Sequence, residues 1–239
     1  MKLSGMILVS GLALVAAGSA AYASVPWTNA NGSNSTIWWE NGRSDNGLFG
    51  SPTVIGDTFF FISNQNFDAQ AFDGNQQITT DTLRVRVHAQ PGRMFTHVIF
   101  ASQGDYTVFG DGASVDVTGM MTVNDLNSPR TASSNFDTTV TPSIGSATAM
   151  PVQGNNTLEE VGIWNGAAMI DFSVFGFPPV TDLDLIFTNT LIAIALPGSN
   201  AAIATLPNTQ GSFTLSVVPA PGTIAAGLLG VGLLARRRR

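Results

Sequence analysis

Leu83-Arg84-Val85-Arg86-Val87-His88-Ala89 decides the fold class. Apolar and polar residues alternate there one for one, the period of a strand with one face in a core and one in water. Pro91-Gly92 follows, a pair suited to the central positions of a type II turn. Beyond it, Met94 to Ala101 is a denser apolar run of strand length. If Gln90 and Arg93 close the turn, the two runs form a hairpin with His97 opposite Arg86, Phe95 opposite His88 and Ile99 opposite Arg84. One face then carries Arg84, Arg86, His88 and His97, while Leu83, Val85, Val87, Val98 and Phe100 line the other. His88 and His97 become diagonal neighbours, about 7–8 Å apart between Cα atoms.

The same alternation recurs at Val115, Val117, Met121 and Val123, and again at Phe213, Leu215 and Val217. Thr58 to Ile62, Ala167 to Phe175 and Leu183 to Leu196 read as more buried strands, the last bending or breaking near Asn189. Asn165-Gly166 predicts a hairpin turn between Val161–Trp164 and the run from Ala167. Asp73-Gly74, Asp111-Gly112 and Pro197-Gly198 mark further corners. Asn127 to Asn156 is rich in Ser, Thr, Asn and Gly and reads as a long loop holding one strand. No long amphipathic helix is visible between the two ends of the chain. About nine to eleven strands at this spacing predict an all-β, antiparallel two-sheet β-sandwich of jelly-roll type.

Composition excludes several function classes. The 239 residues are 44% hydrophobic and only 11% charged, against a usual charged share of about 25%. Cysteine is absent, which removes disulfides, thiolate metal sites, iron–sulfur clusters and a thiol nucleophile. Lys2 is the only lysine, so no Schiff-base lysine, phosphate-loop lysine or polybasic nucleic-acid surface is available.

Both ends read as addresses. Met1-Lys2 and the apolar run Ile7 to Ala17 precede Ala21-Tyr22-Ala23. This is the layout of a secretory signal peptide over residues 1–23, cut between Ala23 and Ser24, implying a signal helix and the Sec export machinery. At the other end, Pro219-Ala220-Pro221-Gly222 reads as rigid and unable to continue a strand. Thr223 to Ala235 carries no charge, and Arg236, Arg237, Arg238 and Arg239 follow. As a helix, Pro221 to Ala235 is about 22 Å long, short of a hydrocarbon core of ~30 Å, with arginines placed to snorkel to headgroups. Of ten basic residues, Lys2 and the four terminal arginines lie in these ends. The body, residues 24–217, keeps five arginines against all 16 acids, a formal charge of −11.

The three-part order of residues 218–239 resembles the PEP-CTERM sorting signal of bacteria with an outer membrane. Its pieces are the motif Val218-Pro219-Ala220-Pro221-Gly222, a short membrane helix and the arginine tail. The family has Glu between the prolines where this chain has Ala220. The resemblance implies recognition by an exosortase-type membrane protease, transient anchoring in the inner membrane, and delivery to the envelope or an exopolysaccharide matrix. A permanent single-span anchor is the other reading of the tail. Leu206-Pro207-Asn208-Thr209-Gln210, which looks like a sortase motif, reads as a turn.

No cofactor motif and no catalytic constellation stand out, so the chain reads as a non-enzyme, structural or adhesive. The alternative is a carbohydrate-binding module, with a glycan-active hydrolase behind it. Trp38 and Trp39 are adjacent, so on a strand they point to opposite faces and one is free to stack on a sugar ring. Arg84, Arg86, His88 and His97 complete the candidate contact set, with guanidinium forks suited to carboxylate or sulfate groups. Their plainer reading is a solvated face paired with aspartates of the next strand. Trp164 has the same ambiguity as Trp38. Glu159 and Glu160 are adjacent and point apart, whereas Asp182 and Asp184 share a strand face. Asp45-Asn46-Gly47, Asp68 through Asp73-Gly74 and Asp111-Gly112 have the look of calcium loops, but turn chemistry accounts for them.

Overall fold

The computed structural model describes residues 24–62, 67–142, 148–149, 152–153, 159–206 and 213–221. The expected signal helix, with Ala21 and Ala23, lies outside them, as do Gly222, the expected membrane helix and Arg236–Arg239. The described residues contain no helix, hence none long and apolar enough to cross a membrane. They are all-β. The strands are β1 (Val25–Pro26), β2 (Gly32–Ser33), β3 (Ile37–Ser44), β4 (Pro52–Ile55), β5 (Thr58–Phe61) and β6 (Asp68–Phe72). Next come β7 (Gln76–Ala89), β8 (Arg93–Phe109), β9 (Ser114–Asp125), β10 (Thr131–Asn135), β11 (Asp137–Pro142), β12 (Thr148–Ala149) and β13 (Val152–Gln153). The last are β14 (Glu160–Asp171), β15 (Asp182–Ile194), β16 (Asn200–Thr205) and β17 (Phe213–Pro221).

Two antiparallel sheets form a β-sandwich. In the first, the order is β1-β3-β7-β15-β9-β10, with β2 on β3 and β13 on β9. In the second, the order is β12-β11-β14-β8, after which the sheet forks. One half of β8 pairs with β17, then β5 and β4; the other pairs with β16, then β6. The inward residues are those the alternation marks. Leu83, Val85, Val87, Val115, Val117, Met121, Val123, Phe213, Leu215 and Val217 are all buried.

Aromatic rings weld the layers. Phe100 of the second sheet stacks on Phe187 of the first, centroids 3.4 Å apart. Phe49, between β3 and β4, meets the rings of Phe61, Phe67, Phe100, Phe187 and Phe213. Its segment is pinned by Asp81, whose buried carboxylate accepts the N–H groups of Asn46 and Leu48 at 2.8 Å and of Phe49 at 3.4 Å. Asp45-Asn46-Gly47 thus lies in a turn held by Asp81, with Gly47 at φ 75°.

Several sequence expectations need correction. The Pro91-Gly92 turn forms, with Gly92 at φ 80° and Arg93 N–H donating to the Gln90 carbonyl at 3.0 Å. It does not make a hairpin: β7 and β8 belong to opposite sheets. Val180 and Thr181 wedge between the strand ends and take their donors, Ala89 N–H to Thr181 at 2.7 Å and Phe95 N–H to Val180 at 2.7 Å. The two apolar faces therefore oppose each other across the core. Asn165-Gly166 is no turn either, but the middle of β14, paired to β8 and β11. Gly166 is there for space: a Cβ would lie 2.3 Å from the Phe136 ring.

β15 runs unbroken through Asn189, whose backbone is flanked by Asp81 and Gly119. Ala167 to Phe175 is strand only to Asp171. The stretch read as one long loop contains β10, β11, β12 and β13, because its Ser and Thr pack on sheet surfaces as well as in turns. Finally, the strand does continue through the proline motif. Val218, Pro219, Ala220 and Pro221 pair with β8 down to Arg93, across an irregularity between Val218 and Pro219. Pairing to β5 stops at Ser216, so among the described residues prolines 219 and 221, which lack N–H donors, sit on a stretch paired on one side only, where proline is tolerated.

Candidate ligand-binding face

The outer face of the first sheet carries three cross-strand rows at its β3–β7–β15 end. Burying Leu83, Val85 and Val87 turns Arg84, Arg86 and His88 outward. The register then sets Trp38 beside His88 and His88 beside Asp182. Trp38, 38% exposed, lies flat on the His88 ring, centroids 3.5 Å apart and planes 6° apart. His88 Nδ1 bonds the Asp182 carboxylate at 2.5 Å. The second Asp182 oxygen accepts from Thr181 Oγ1 and Asn127 Nδ2, both at 2.6 Å. Partial burial opposes the Asp182 charge, but the hydrogen bonds from Thr181, His88 and Asn127 together hold its carboxyl below the usual range. The indole is thus seated on a braced imidazole rather than on a mobile neighbour.

The second row is Glu40, Arg86 and Asp184. Arg86 reaches Glu40 at 3.7 Å and Asp184 at 3.8 Å. Ion pairs this long and this exposed are worth about 0–1 kcal/mol each, so they do not lock the guanidinium. The third row sets Arg43 against Arg84. A bulge at Asn41-Gly42, with Asn41 at φ 58°, shifts the register and brings Arg43 to this face. Gly42 is required there, since a Cβ would fall 2.0 Å from the Trp27 ring. Arg84 pairs with Asp45 at 3.7 Å. Among the described residues Arg43 has no ion pair; its Nη1 donates to the Asn41 carbonyl at 3.3 Å. Asn41, Arg43, Arg84, Arg86 and Asp184 line a notch of ≈ 150 Å³.

The candidate set is therefore divided. Trp38, Arg84, Arg86 and His88 come together: His88 and Arg86 meet Asp182 and Asp184 of the neighbouring strand, Arg86 also meets Glu40, Arg84 meets Asp45 beyond the end of β3, and Trp38 rests on His88. Trp39 is 7% exposed, packed edge-on against Phe59 with its Nε1 donating to the Asn29 carbonyl at 3.0 Å, and so is a core residue. His97 is on the outer face of the other sheet, opposite Asp171, so the single face holding both histidines does not exist. Trp164 is wholly buried. Sequence reasoning missed Arg43, although Asn-Gly is a bulge signal as well as a turn signal. Among the described residues no three metal-ligating side chains gather.

The notch and the indole can do two things chemically. Guanidinium forks bind carboxylate or sulfate oxygens in pairs. The free side of the indole stacks on the C–H face of a sugar. No protein-family model and no curated protein matches the chain. Among solved structures it is similar to the family 11 xylanase from Neocallimastix patriciarum, at 9% identity, covering 82% of this chain and 99% of that one with a TM-score of 0.20. It is also similar to a loop-swap mutant of Xyn11A from Necallimastix patriciarum, at 9% identity, with 79% and 94% covered and a TM-score of 0.20. Likenesses this low carry no weight for the chemistry of the face.

Proposed function

We propose that the chain is an exported, non-catalytic protein of the cell envelope or exopolysaccharide matrix, adhering to acidic glycans through the Trp38–arginine face. The sandwich is read as jelly-roll-like. The observation that carries the reading is a half-exposed indole, braced flat on His88, beside a notch lined by Arg43, Arg84 and Arg86. These are three of the five arginines of an otherwise acidic body. A uronic-acid or sulfated sugar satisfies both features at once. Sorting follows from the resemblance of residues 218–239 to the PEP-CTERM signal, with an exosortase-type protease as the processing partner.

Affinity electrophoresis through acidic and neutral polysaccharides tests the adhesive role. Retardation by an acidic polysaccharide, lost in Trp38→Ala and in Arg43→Ala, is the expected result. Equal migration of parent and variants in every acidic gel rejects it. Intact mass of the protein from its native host tests processing, and a mass retaining all four terminal arginines rejects that part.

A further inference from the structure

The second sheet has a trench on its outer face, along β16. This strand lies between β6 and the far half of β8. Ala201, Ile203 and Thr205 point into the core, so Asn200, Ala202 and Ala204 point out. Ala202 is flanked by Gln70 and Thr107, and Ala204 by Asp68 and Asp105. Two methyl groups thus form a low floor between taller side chains. At the other end, Asn200 is flanked by Phe72 and Phe109, 53% and 41% exposed. The walls stand two strand spacings apart, roughly 9.5 Å between Cα atoms, and the three rows extend over roughly 13 Å. Two adjoining hollows of ≈ 250 and ≈ 330 Å³ fill this length and share Thr107 and Ala202.

The backbone that carries the two aromatic walls is tied down on both sides. Phe72 leads into the Asp73-Gly74 turn, which Asp73 ties to the 198–199 segment through its side chain (Gly198 N–H, 2.9 Å) and its own N–H (Ser199 carbonyl, 3.0 Å). Phe109 leads into Gly110, where a Cβ would already touch Ser199 at 3.0 Å. Neither phenyl has a ring partner among the described residues, and the outward Asn200 lies between them with its amide available to a ligand. The polar lining is acidic: Asp68, Asp105 and Glu159, with no basic side chain. Partial burial raises the Asp105 carboxyl above its ordinary range. Asp68 Oδ2 accepts from Gln70 at 2.8 Å, and among the described residues no hydrogen bond engages Oδ1, which can take a ligand hydroxyl.

We infer that this trench binds a short stretch of a glycan that carries no acidic groups. Sugar C–H faces stack on aromatic rings while their hydroxyls donate to carboxylates and amides, and this trench offers both along one line. Its charge repels the uronic acids and sulfates that suit the arginine face. The two sites lie on opposite outer faces of the sandwich. Binding in the trench does not depend on the arginine-face reading; the joining of a neutral strand to an acidic one by a single molecule rests on it.

The test is affinity electrophoresis of the full chain through neutral xylan, mannan and β-glucan, with an acidic polysaccharide and an arginine-rich peptide competitor as further arms. Retardation by at least one neutral glycan is expected, weakened about tenfold in Phe72→Ala and Phe109→Ala. Ala204→Leu, an outward substitution that fills the floor, removes the same retardation without depending on the phenyl groups. Trp38→Ala leaves it unchanged, which separates this site from the arginine face. No retardation by any of the three neutral glycans overturns the inference. So does retardation that all three trench variants retain, or binding only to the acidic glycan or the basic peptide.

Discussion

Gly104→Ala is the sharpest test of how the second sheet is put together. Gly104 has an ordinary backbone conformation, so left-handed strain is not at issue. A Cβ there would lie 2.0 Å from the Ala204 carbonyl oxygen and 2.3 Å from Trp164 Nε1. Neither neighbour has room to retreat. The carbonyl belongs to β16, laddered on both sides, and the Trp164 ring is fully enclosed. The two are also joined, Trp164 Nε1 donating to Ala204 O at 3.0 Å. Overpacking costs about 1–3 kcal/mol, and an indole N–H left without its acceptor adds about 1–3 kcal/mol. The total, about 2–6 kcal/mol, is a large share of a net stability of about 5–15 kcal/mol. For a domain of this size each kcal/mol moves Tm by about 2–4 °C, so a drop of at least about 4 °C is expected. Thermal unfolding followed by circular dichroism measures it. Gly198→Ala is the control, with open space around its Cβ and φ 79°; it isolates the left-handed backbone cost of about 1–2 kcal/mol. A Gly104→Ala protein melting within about 2 °C of the parent would refute the packing argument.

Other outcomes follow from single contacts. Phe49→Ala, which empties the meeting point of five rings, is expected to cost about 3–5 kcal/mol, read from urea denaturation midpoints. Asp182 has a depressed folded-state pKa. Its contribution is present above the unfolded value near 3.9 and is lost as pH falls through the lower folded value; Asp182→Asn is expected to be less stable than the parent at pH 6 and to converge on it in acid. Asp105 is raised, so the folded chain holds its proton longer and stability falls as pH rises from the unfolded value through the folded one. Asp105→Asn is expected to be more stable than the parent at pH 7, with the gain vanishing below about pH 3. Tm measured from pH 2.5 to 7 checks both, and parallel curves for parent and variants contradict both assignments.

Period two announces which side of a strand is buried and is silent about the neighbouring strand. Leu83, Val85 and Val87 therefore disclosed their inward face, while the sheet they join depends on Val180 and Thr181, more than 80 residues later. The same blindness separated His97 from His88. Adjacent Trp38 and Trp39 had to part, as they do, but alternation alone does not say which one faces water. Arg43 reaches the site through a bulge that reads equally well as a turn. The trench was hidden for another reason. In Asn200-Ala201-Ala202-Ile203-Ala204-Thr205, alanine occupies both faces, so the alternation that reveals a strand has no contrast. Phe72 and Phe109 are more than thirty residues apart in the chain and meet across Asn200 only when β16 slots between β6 and β8.

β17 enters the sheet between β8 and the β5–β4 hairpin, so it is the keystone of that half of the wall. Among the described residues the hairpin is hydrogen-bonded to β8 only through this ladder. The proline motif is stitched into the same seam, down to the pairing of Pro221 with Arg93. Any enzyme that trims the chain while leaving the sandwich shut must cut on the far side of that seam; a cut before Phe213 pulls the keystone and opens the core around Phe49.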